Sequence, residues 1–216
     1  MPQRFTFSKV PIAKAGEAFA CHTSIAKSNA HIWPRTEDEI RRYCEEGSLF
    51  CVRGFDGQLV ALCYSILDAE AWEIGGLTVD GSLQNLGIGT TLVRFVLAHT
   101  MVFTQPWENK QRVIAHIHEE NNDPRNIFRR LGFVHVRQIA VPAGNAPESM
   151  RRNAKGEIVG DELEFSKDGL IQLARWLNSE FDGTLGLAKV PADLHLESGG
   201  LADMKVALAD MATRTK

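Results

Sequence analysis

The stretch Ala71–Met101 decides the fold class of this chain, and its three parts are 72-WEIGGLTV-79, 84-QNLGIG-89 and 91-TLVRFVLAHTM-101. In the first part, Ile74, Leu77 and Val79 are apolar and no helical period is present, which favours a strand. The last part carries apolar residues at helical spacing. We therefore predict a strand, a tight polar turn and a helix, in this order.

Two glycines, Gly87 and Gly89, lie where the predicted turn becomes the predicted helix. Glycine lets the backbone approach a ligand closely, because no side chain intervenes. The first turn of a helix also leaves backbone N–H groups without partners, and the helix dipole favours an anion there. The turn is therefore predicted to bind a phosphate or a pyrophosphate, and the alternative is an ordinary strand–helix turn with glycines for tightness.

Two well-known phosphate-binding motifs do not match this turn. A Walker loop needs a lysine after its last glycine, whereas Gly89 is followed by Thr90 and Thr91. A dinucleotide fingerprint needs a third small residue three positions after the second glycine, where Leu92 stands. A different phosphate-containing ligand is therefore expected.

The turn resembles the acyl-coenzyme A loop of the GCN5-related N-acetyltransferases (GNAT), a Gln/Arg-x-x-Gly-x-Gly/Ala sequence after a strand that ends in Val. Here Val79 is followed by Gln84-Asn85-Leu86-Gly87-Ile88-Gly89. A second family motif is matched by Asn122, Phe128 and Leu131-Gly132-Phe133. The resemblance covers roughly residues 5 to 165.

The resemblance implies an α+β fold with a mixed, mostly antiparallel central sheet flanked by helices. It also implies that the strands Trp72–Val79 and Arg112–His118 lie side by side and splay apart to admit the pantetheine arm. Acetyl-CoA is the implied cosubstrate. The implied cofactor-binding residues are Leu77, Thr78, Val79, Gln84, Asn85, Leu86, Gly87, Ile88, Gly89, Thr90, Asn122 and Phe128.

Transfer of an acetyl group to an amine needs a base, because an alkylamine is mostly protonated at neutral pH. Glu73 lies six residues before Val79, where several family members carry a glutamate base, and we expect partial burial to raise its pKa. A surface or salt-bridged glutamate is the alternative. His116 and His118 share one face of their strand, and either could relay a proton. His118 is the second catalytic candidate, and ordinary hydrogen-bonded histidines are the alternative.

The second motif departs from the family at Phe128, where a tyrosine usually supplies a proton to the leaving sulfur. Phe128 has no hydroxyl, so water or another group has to replace it, or the chain binds coenzyme A with little or no catalysis. For the acceptor, a small-molecule or protein amine, the candidate contacts are Trp33 and Arg35 in the break between two predicted helices. The alternative for Trp33 is simple packing under the loop. With no third ligand near the two histidines, we predict no metal.

Composition sets the remaining expectations. The net charge of −3 over 216 residues gives no support for a nucleic-acid partner. The start of the chain lacks the apolar run of a signal peptide, and no segment approaches the roughly 20 apolar residues of a membrane span. We expect a cytoplasmic protein with no membrane partner, and a homodimer is left open. The four cysteines form no C-x-x-C pair and are predicted to be reduced thiols: Cys21, Cys44, Cys51 and Cys63.

Two regions are predicted along the chain. Residues 1–165 are expected to form the acetyltransferase domain. Residues 166–216 are expected to form a C-terminal extension, mostly helical, that packs on the domain or on a partner subunit. Within the extension we predict helices from Leu170 to Leu177 and from Leu201 to Thr213, with irregular structure from Phe181 to Gly200.

Overall fold

The computed structural model describes residues 4–29, 31–144, 146, 148, 150–185, 190–194 and 200–215. Within these residues the strands form one central sheet in the order β6-β7-β5-β4-β3-β2-β1-β9-β8. The strands are β1 Phe5–Lys9, β2 Leu49–Arg53, β3 Leu59–Asp68, β4 Ala71–Val79, β5 Arg112–His118, β6 Phe133–Pro142, β7 Glu157–Phe165, β8 Thr184–Leu185 and β9 Val190–Leu194.

The helices cover both faces of this sheet, as the mixed α/β prediction required. They are α1 Ala15–Lys27, α2 Glu37–Glu45, α3 Ile88–Thr104, α4 Asn122–Arg130, α5 Lys167–Arg175 and α6 Gly200–Arg214. The β4–β5 and β1–β9 pairs are parallel, and the other neighbouring pairs are antiparallel. The predicted fold class is therefore confirmed. In the described part of the chain, no helix combines the length and the hydrophobicity that crossing a lipid bilayer requires.

Alternating residues of β2 show how the sheet is buried on both faces. Phe50 and Val52 join the larger core cluster, together with apolar residues of α3. Leu49 and Cys51 point to the opposite face and join a second cluster with residues of α1 and α2. Because side chains alternate across a strand, an uninterrupted apolar run fits a strand that is covered on both sides.

Local capping signals fix the start of α2. Thr36 accepts a hydrogen bond from the backbone N–H of Glu39, and the Glu39 side chain accepts one from the backbone N–H of Thr36. This reciprocal capping box satisfies two N–H groups that the helix itself cannot pair. It fixes the point at which the chain leaves the α1–α2 loop, which holds the candidate acceptor residues.

Strands β4 and β5 lie side by side for only three residues each. In the described part of the sheet, their pairing runs from Ala71 with Arg112 to Glu73 with Ile114 and then ends. Each strand keeps its other neighbour beyond that point, since β4 still pairs with β3 and β5 with β7. The two strands therefore splay apart at Glu73, as predicted.

The extension differs from its prediction in one respect. The segment predicted to be irregular contains β8 and β9, and β9 pairs in parallel with β1 through Phe5 with Ala192 and Phe7 with Leu194. The prediction was wrong there because the local sequence, rich in glycine, carries no clear strand period. The free edge of β1 supplies the hydrogen-bonding partner for β9, and that edge is not visible in the sequence of the extension.

Candidate functional site

The two glycines of the 84–89 turn have different structural roles. Gly87 has φ of 85°, in the left-handed region, and it directly precedes α3. A Cβ at Gly89 would lie 3.3 Å from Val79 Cγ2 and 3.6 Å from Ile127 Cδ1. Gly89 therefore lets the start of α3 pack against β4 and α4, while Gly87 provides the sharp turn. The first turn of α3 contains no acidic residue. No negatively charged side chain of that turn would therefore repel an anion bound at its free N–H groups.

A cavity of about 410 Å³ opens where β4 and β5 part. Its walls come from both strands, from the α1–α2 loop, from α4 and from the β6–β7 hairpin. The sequence-predicted residues that line it are Trp33, Arg35, Glu73, Leu77, His118 and Phe128. The tertiary structure therefore brings together side chains that are widely separated along the chain.

A glycine pair in β4 makes room for Tyr64, a residue of the site that was not predicted from the sequence. A Cβ at Gly75 would lie 2.6 Å from Tyr64 Oη, and one at Gly76 would lie 2.4 Å from Tyr64 Cε1. Gly76 also has φ of 61°, and the β3–β4 register shifts between Leu62 and Tyr64. Glycines inside a strand often mark a bulge or a close approach, so this pair was the available sequence signal.

Glu73 lies at the point where the strands part, and its side chain is only 13% exposed. Tyr64 Oη donates to Glu73 Oε1 at 2.9 Å, and His116 Nδ1 lies 3.0 Å from Oε2. Burial by itself raises the pKa of Glu73, but the hydrogen bonds from His116 and Tyr64 and the charge of Arg35 outweigh it. The pKa of Glu73 is therefore below its ordinary value. The expected rise in pKa was wrong, because partners that are distant in sequence stabilise the carboxylate.

His116, rather than His118, contacts Glu73. Its ring bridges two carboxylates, because Nε2 also lies 3.4 Å from Glu162 Oε2. The hydrogen bond to Glu73 raises the pKa of His116, and burial only partly offsets this effect. Glu162 is in turn paired with Arg112 and Arg137. An ion-pair network therefore runs from Glu73 through His116 and Glu162 to Arg112 of β5 and Arg137 of β6.

His118 is the last residue of β5, lines the cavity and is buried. Its Nδ1 accepts a hydrogen bond from the backbone N–H of Glu120 at 3.2 Å, and its Nε2 has no partner among the described residues. The ring stacks on His31 with 5.3 Å between centroids. His118 therefore lies in the cavity but apart from the Glu73–His116 pair.

One group of side chains in the described part of the chain has the donor atoms of a metal site. His31, His118 and Glu120 each offer a ligand atom, and these atoms lie within 4.8 Å of one another. However, the Glu120 N–H already donates to His118 Nδ1, and Arg151 pairs with the Glu120 carboxylate at 3.0 Å. A metal-bound histidine normally donates its second ring N–H to an acceptor, whereas His118 faces a donor. This geometry does not favour a metal.

The two predicted acceptor residues lie on one side of the cavity. Arg35 Nη2 donates to Tyr64 Oη at 2.5 Å, and Nη1 pairs with Glu39 at 3.2 Å. Trp33 is partly buried and packs against a small apolar cluster of Ala146, Met150 and Ile158. The guanidinium of Arg35 thus belongs to the hydrogen-bonded chain that ends at Glu73.

The second motif forms the start and the inner face of α4. Asn122 is the exposed first residue of the helix, and its Oδ1 accepts a hydrogen bond from Arg125 at 2.9 Å. Its neighbour Asn121 lines the cavity. Phe128 is 2% exposed and packs edge-to-face on Phe133, with 4.9 Å between ring centroids. Phe128 also lines the cavity, and it carries no hydroxyl there.

A comparison with protein families decides the relationship that the turn suggested. The model of the acetyltransferase (GNAT) family matches residues 19–133, more than half of the chain. The chain belongs to the GNAT family. The match spans the α1–α2 loop, the splayed strands, the 84–89 turn and α4, whereas the β6–β7 hairpin, which also lines the cavity, lies beyond it. Membership of this family supports acetyl transfer in general.

Solved structures with the same fold include several GNAT acetyltransferases. The ribosomal-protein-S18-alanine N-acetyltransferase of Escherichia coli is 14% identical, with a TM-score of 0.52 over 74% of this chain and 92% of that chain. The yncA protein of Salmonella typhimurium, solved with its cofactor acetyl-CoA, is also 14% identical, with a TM-score of 0.55 over 75% and 93%. At these identities the likeness establishes the fold alone. No curated protein sequence matches this GNAT chain.

Proposed function

We propose that this GNAT protein is an acetyl-CoA-dependent N-acetyltransferase that uses Glu73 as its general base for a primary amine. The observation that carries the proposal is the position of the Glu73 carboxylate, whose side chain is largely buried. It lies at the fork where β4 and β5 part, on the wall of the cavity. Its hydrogen bonds to Tyr64 and His116 hold it in one orientation.

The residues around the gap fit an acyl carrier with a pantetheine arm. The facing edges of β4 and β5 beyond Glu73 offer backbone N–H and C=O groups, and buried groups of this kind need partners. Thr78, near the end of β4, has a buried hydroxyl without a partner among the described residues. We assign the arm to these strands and to Phe128, and the diphosphate to the backbone of Gln84 to Thr90. Acetyl-CoA would supply an acetyl carbon activated as a thioester, with coenzyme A thiol as the leaving product.

The acceptor amine would form a C–N bond to the acetyl carbon while the C–S bond breaks, which gives an amide and a thiol. Starting from the ammonium form, the nitrogen loses two protons. One proton passes through Glu73 to His116 and then to solvent, and the other ends on the sulfur. Because Phe128 cannot donate a proton, water is the donor to the sulfur in this scheme. The scheme needs His116 as a proton acceptor, because the lowered pKa of Glu73 makes its carboxylate alone a weak base.

A second candidate function is coenzyme A binding with little or no acetyl transfer. Phe128 favours it, because the ring at this position has no hydroxyl to protonate the leaving sulfur. Both candidates require acetyl-CoA to bind. They differ in whether thiol release depends on an added amine.

The deciding experiment is a thiol-release assay of the purified protein with acetyl-CoA and a panel of primary amines, together with calorimetry of acetyl-CoA binding. Amine-dependent release supports the enzyme. Binding without release supports the binding module. Absence of binding by a folded sample at millimolar acetyl-CoA contradicts both proposals.

Replacing the base tests its role directly. Glu73→Gln keeps the shape of the side chain but removes its ability to accept a proton. We expect turnover to fall by about 100-fold, the scale of general-base catalysis, while the Kd of acetyl-CoA changes less than about 2-fold. Glu70→Gln, at an exposed site three residues earlier, is the matched control and should behave like wild type. Wild-type turnover in Glu73→Gln would remove Glu73 from this role.

A further inference from the structure

Two residues that line the cavity carry buried hydrogen-bond donors without a partner among the described residues. His118 is 9% exposed, and the unpartnered atom is its Nε2. Its Nδ1 accepts a hydrogen bond from the backbone N–H of Glu120, so the hydrogen of the neutral ring lies on Nε2. Arg35 Nε, the second unpartnered atom, always carries a hydrogen. Both atoms therefore need a hydrogen-bond acceptor.

A third unpartnered nitrogen belongs to the ring that stacks on His118. His31 Nδ1 is buried and has no partner in the described part of the chain, and the two rings lie 5.3 Å apart between centroids. His31 lines the same cavity as His118 and Arg35. Buried polar groups are normally paired with protein, water or ligand, because an unpaired group has lost its hydrogen bonds to water without replacement. This part of the cavity therefore suits a ligand that brings acceptor atoms.

Asp68 lines the same cavity but lies far from His118. It is exposed at the end of β3 and is opposite Ala71, which is in turn opposite Arg112 at the start of β5. His118 is the last residue of β5, six residues further on, which corresponds to about 20 Å at 3.3 Å per residue. Charges at this separation are largely screened by salt. Asp68 therefore neither accepts a hydrogen bond from His118 nor repels an anion bound there.

Glu120 is the acidic residue beside the two histidines. One of its carboxylate oxygens lies within 4.8 Å of a ring nitrogen of His31 and of His118. Arg151 pairs with this carboxylate at 3.0 Å and offsets its charge. The local charge is therefore compatible with either a neutral carbonyl oxygen or a carboxylate as the acceptor for the buried donors.

We infer that the acceptor amine carries a carbonyl oxygen, in an amide or a carboxylate group, that accepts a hydrogen bond from His118 Nε2. This inference rests on the proposed N-acetyltransferase function. The amine nitrogen faces Glu73, and the oxygen lies toward the end of β5, two residues beyond His116 on the same face of the strand. The His31 ring stacks on His118 and belongs to the α1–α2 loop, so a shift of this loop is the step that admits the oxygen. His118 is thus a specificity-determining residue.

Matched amines of increasing chain length test this inference. Glycine, β-alanine, 4-aminobutyrate and 5-aminopentanoate are compared with their amides and with alkylamines in which an isopropyl group replaces the carboxylate. At one length or more, we expect kcat/KM per neutral amine to be at least about 10-fold higher for the amide or the carboxylate than for the alkylamine, because only the oxygen pairs with the buried donor. The faster of the two identifies the source of the oxygen. If no length shows this preference, the inference is overturned, and the proposed acetyl transfer stays intact.

Variants of His118 give a second measurement. His118→Phe removes the donor and keeps a ring that can stack on His31. The preference for the oxygen-bearing amine should fall by about 10-fold, while the Kd of acetyl-CoA changes less than about 2-fold. His118→Gln keeps an N–H donor and should restore part of the preference. His135→Phe, at an exposed histidine of β6, is the control and should leave it unchanged. An unchanged preference in folded His118→Phe, or a loss of acetyl-CoA affinity in its place, overturns the inference.

Calorimetry separates this inference from the proposed function. If no amine supports thiol release, the proposed catalysis fails, and titration of the coenzyme A-saturated protein with the same amines still reports on the cavity. Binding of an amide or a carboxylate that is at least about 10-fold tighter than that of its alkyl counterpart supports the inference. Absence of this difference at every length, or absence of binding by all these amines at millimolar concentration, overturns it.

Discussion

Burial and neighbouring side chains shift the pKa of Glu73 in opposite directions. Burial alone would keep this carboxyl protonated to higher pH. His116, Tyr64 and Arg35 reverse the direction, and the pKa falls below its ordinary value. His116 responds in the opposite direction, because the same hydrogen bond raises its pKa above 6.5. Both pKa shifts favour the ion pair of the Glu73 carboxylate with the protonated His116 imidazole, and His116 can take a proton from the amine only after it has lost its own.

The pH dependence of turnover follows from this order. Below the raised pKa of His116 the imidazole is protonated and cannot take a further proton, so turnover is low. As the pH rises through that pKa, the neutral imidazole becomes available through Glu73, and turnover increases. The measurement is kcat from pH 6 to 9 with one amine.

Two variants identify the group that titrates. His116→Gln should remove the inflection that His116 causes in the plot of kcat against pH. The ionisation of the free amine affects wild type and both variants equally. His135→Gln is the matched control, because His135 is exposed on β6 and pairs with Asp161 instead. An inflection that persists in His116→Gln would show that another group relays the proton.

Phe128 permits a gain-of-function test at the residue scale. The ring is buried, lies on the cavity wall and replaces the tyrosine that the family usually carries. Phe128→Tyr adds a hydroxyl near the expected position of the sulfur, and we expect kcat to rise by about 10-fold through protonation of the leaving group. The assay is single-turnover thiol release, with the melting temperature as a check on folding. A lower rate in a protein of unchanged stability would contradict an acid role at this position.

At the scale of an element, β4 combines two irregularities that together create the site. Its bulge at Gly75 and Gly76 admits the Tyr64 ring, and its divergence from β5 after Glu73 opens the gap. A regular strand would pair along its whole length and leave no cavity. The irregular strand is stable because the main chain keeps its pairing with β3 on the other side.

Gly76→Ala tests the bulge. The new Cβ would lie 2.4 Å from the Tyr64 ring on a backbone with φ of 61°, so both strain and overpacking oppose it. We expect a loss of at least about 2 kcal/mol in the free energy of unfolding, and a fall in turnover as Tyr64 shifts away from Glu73. Gly81→Ala is the control, because no heavy atom lies within 4 Å of its added Cβ. Urea denaturation of both variants checks the difference, and equal stabilities would contradict the packing argument.

On the scale of the whole molecule, the C-terminal extension is part of the same core as the sheet. Leu170, Leu173 and Trp176 of the α5 region belong to the main apolar cluster, as do Met204 and Leu208 of α6. We propose that residues 166–216 act as a structural extension of the acetyltransferase domain. The described residues of the extension pack on α3 and pair with the edge of β1, and none of these described residues lines the cavity.

A pair of substitutions in α6 tests this role. Leu208 is fully buried, and Leu208→Ala should lower the free energy of unfolding by about 2–5 kcal/mol, the usual cost of such a cavity. Val206 is 71% exposed two residues earlier, and Val206→Ala should change it by less than about 0.5 kcal/mol. Calorimetric melting curves provide the comparison. A small effect at Leu208 would indicate that α6 does not support the core in solution.

Much of the fold could be read from local sequence. The strand–turn–helix at 72–101 and the span of β5, predicted and observed as Arg112–His118, depend on neighbours a few residues apart, which the chain order itself records. The resemblance of the 84–89 turn to the GNAT family could be seen in the sequence because its motif lies in consecutive residues. These features are encoded within single elements, so they do not require knowledge of the packed structure.

The tertiary structure alone decided the rest. The contact of Glu73 with His116 instead of His118, the lowered pKa of Glu73 and the place of Tyr64 depend on which strands are adjacent and in which register. The strand β9 likewise depends on a free edge more than 180 residues away in sequence. Electrostatic and packing interactions act through space over a few ångströms, and the sequence does not state which distant residues will lie that close.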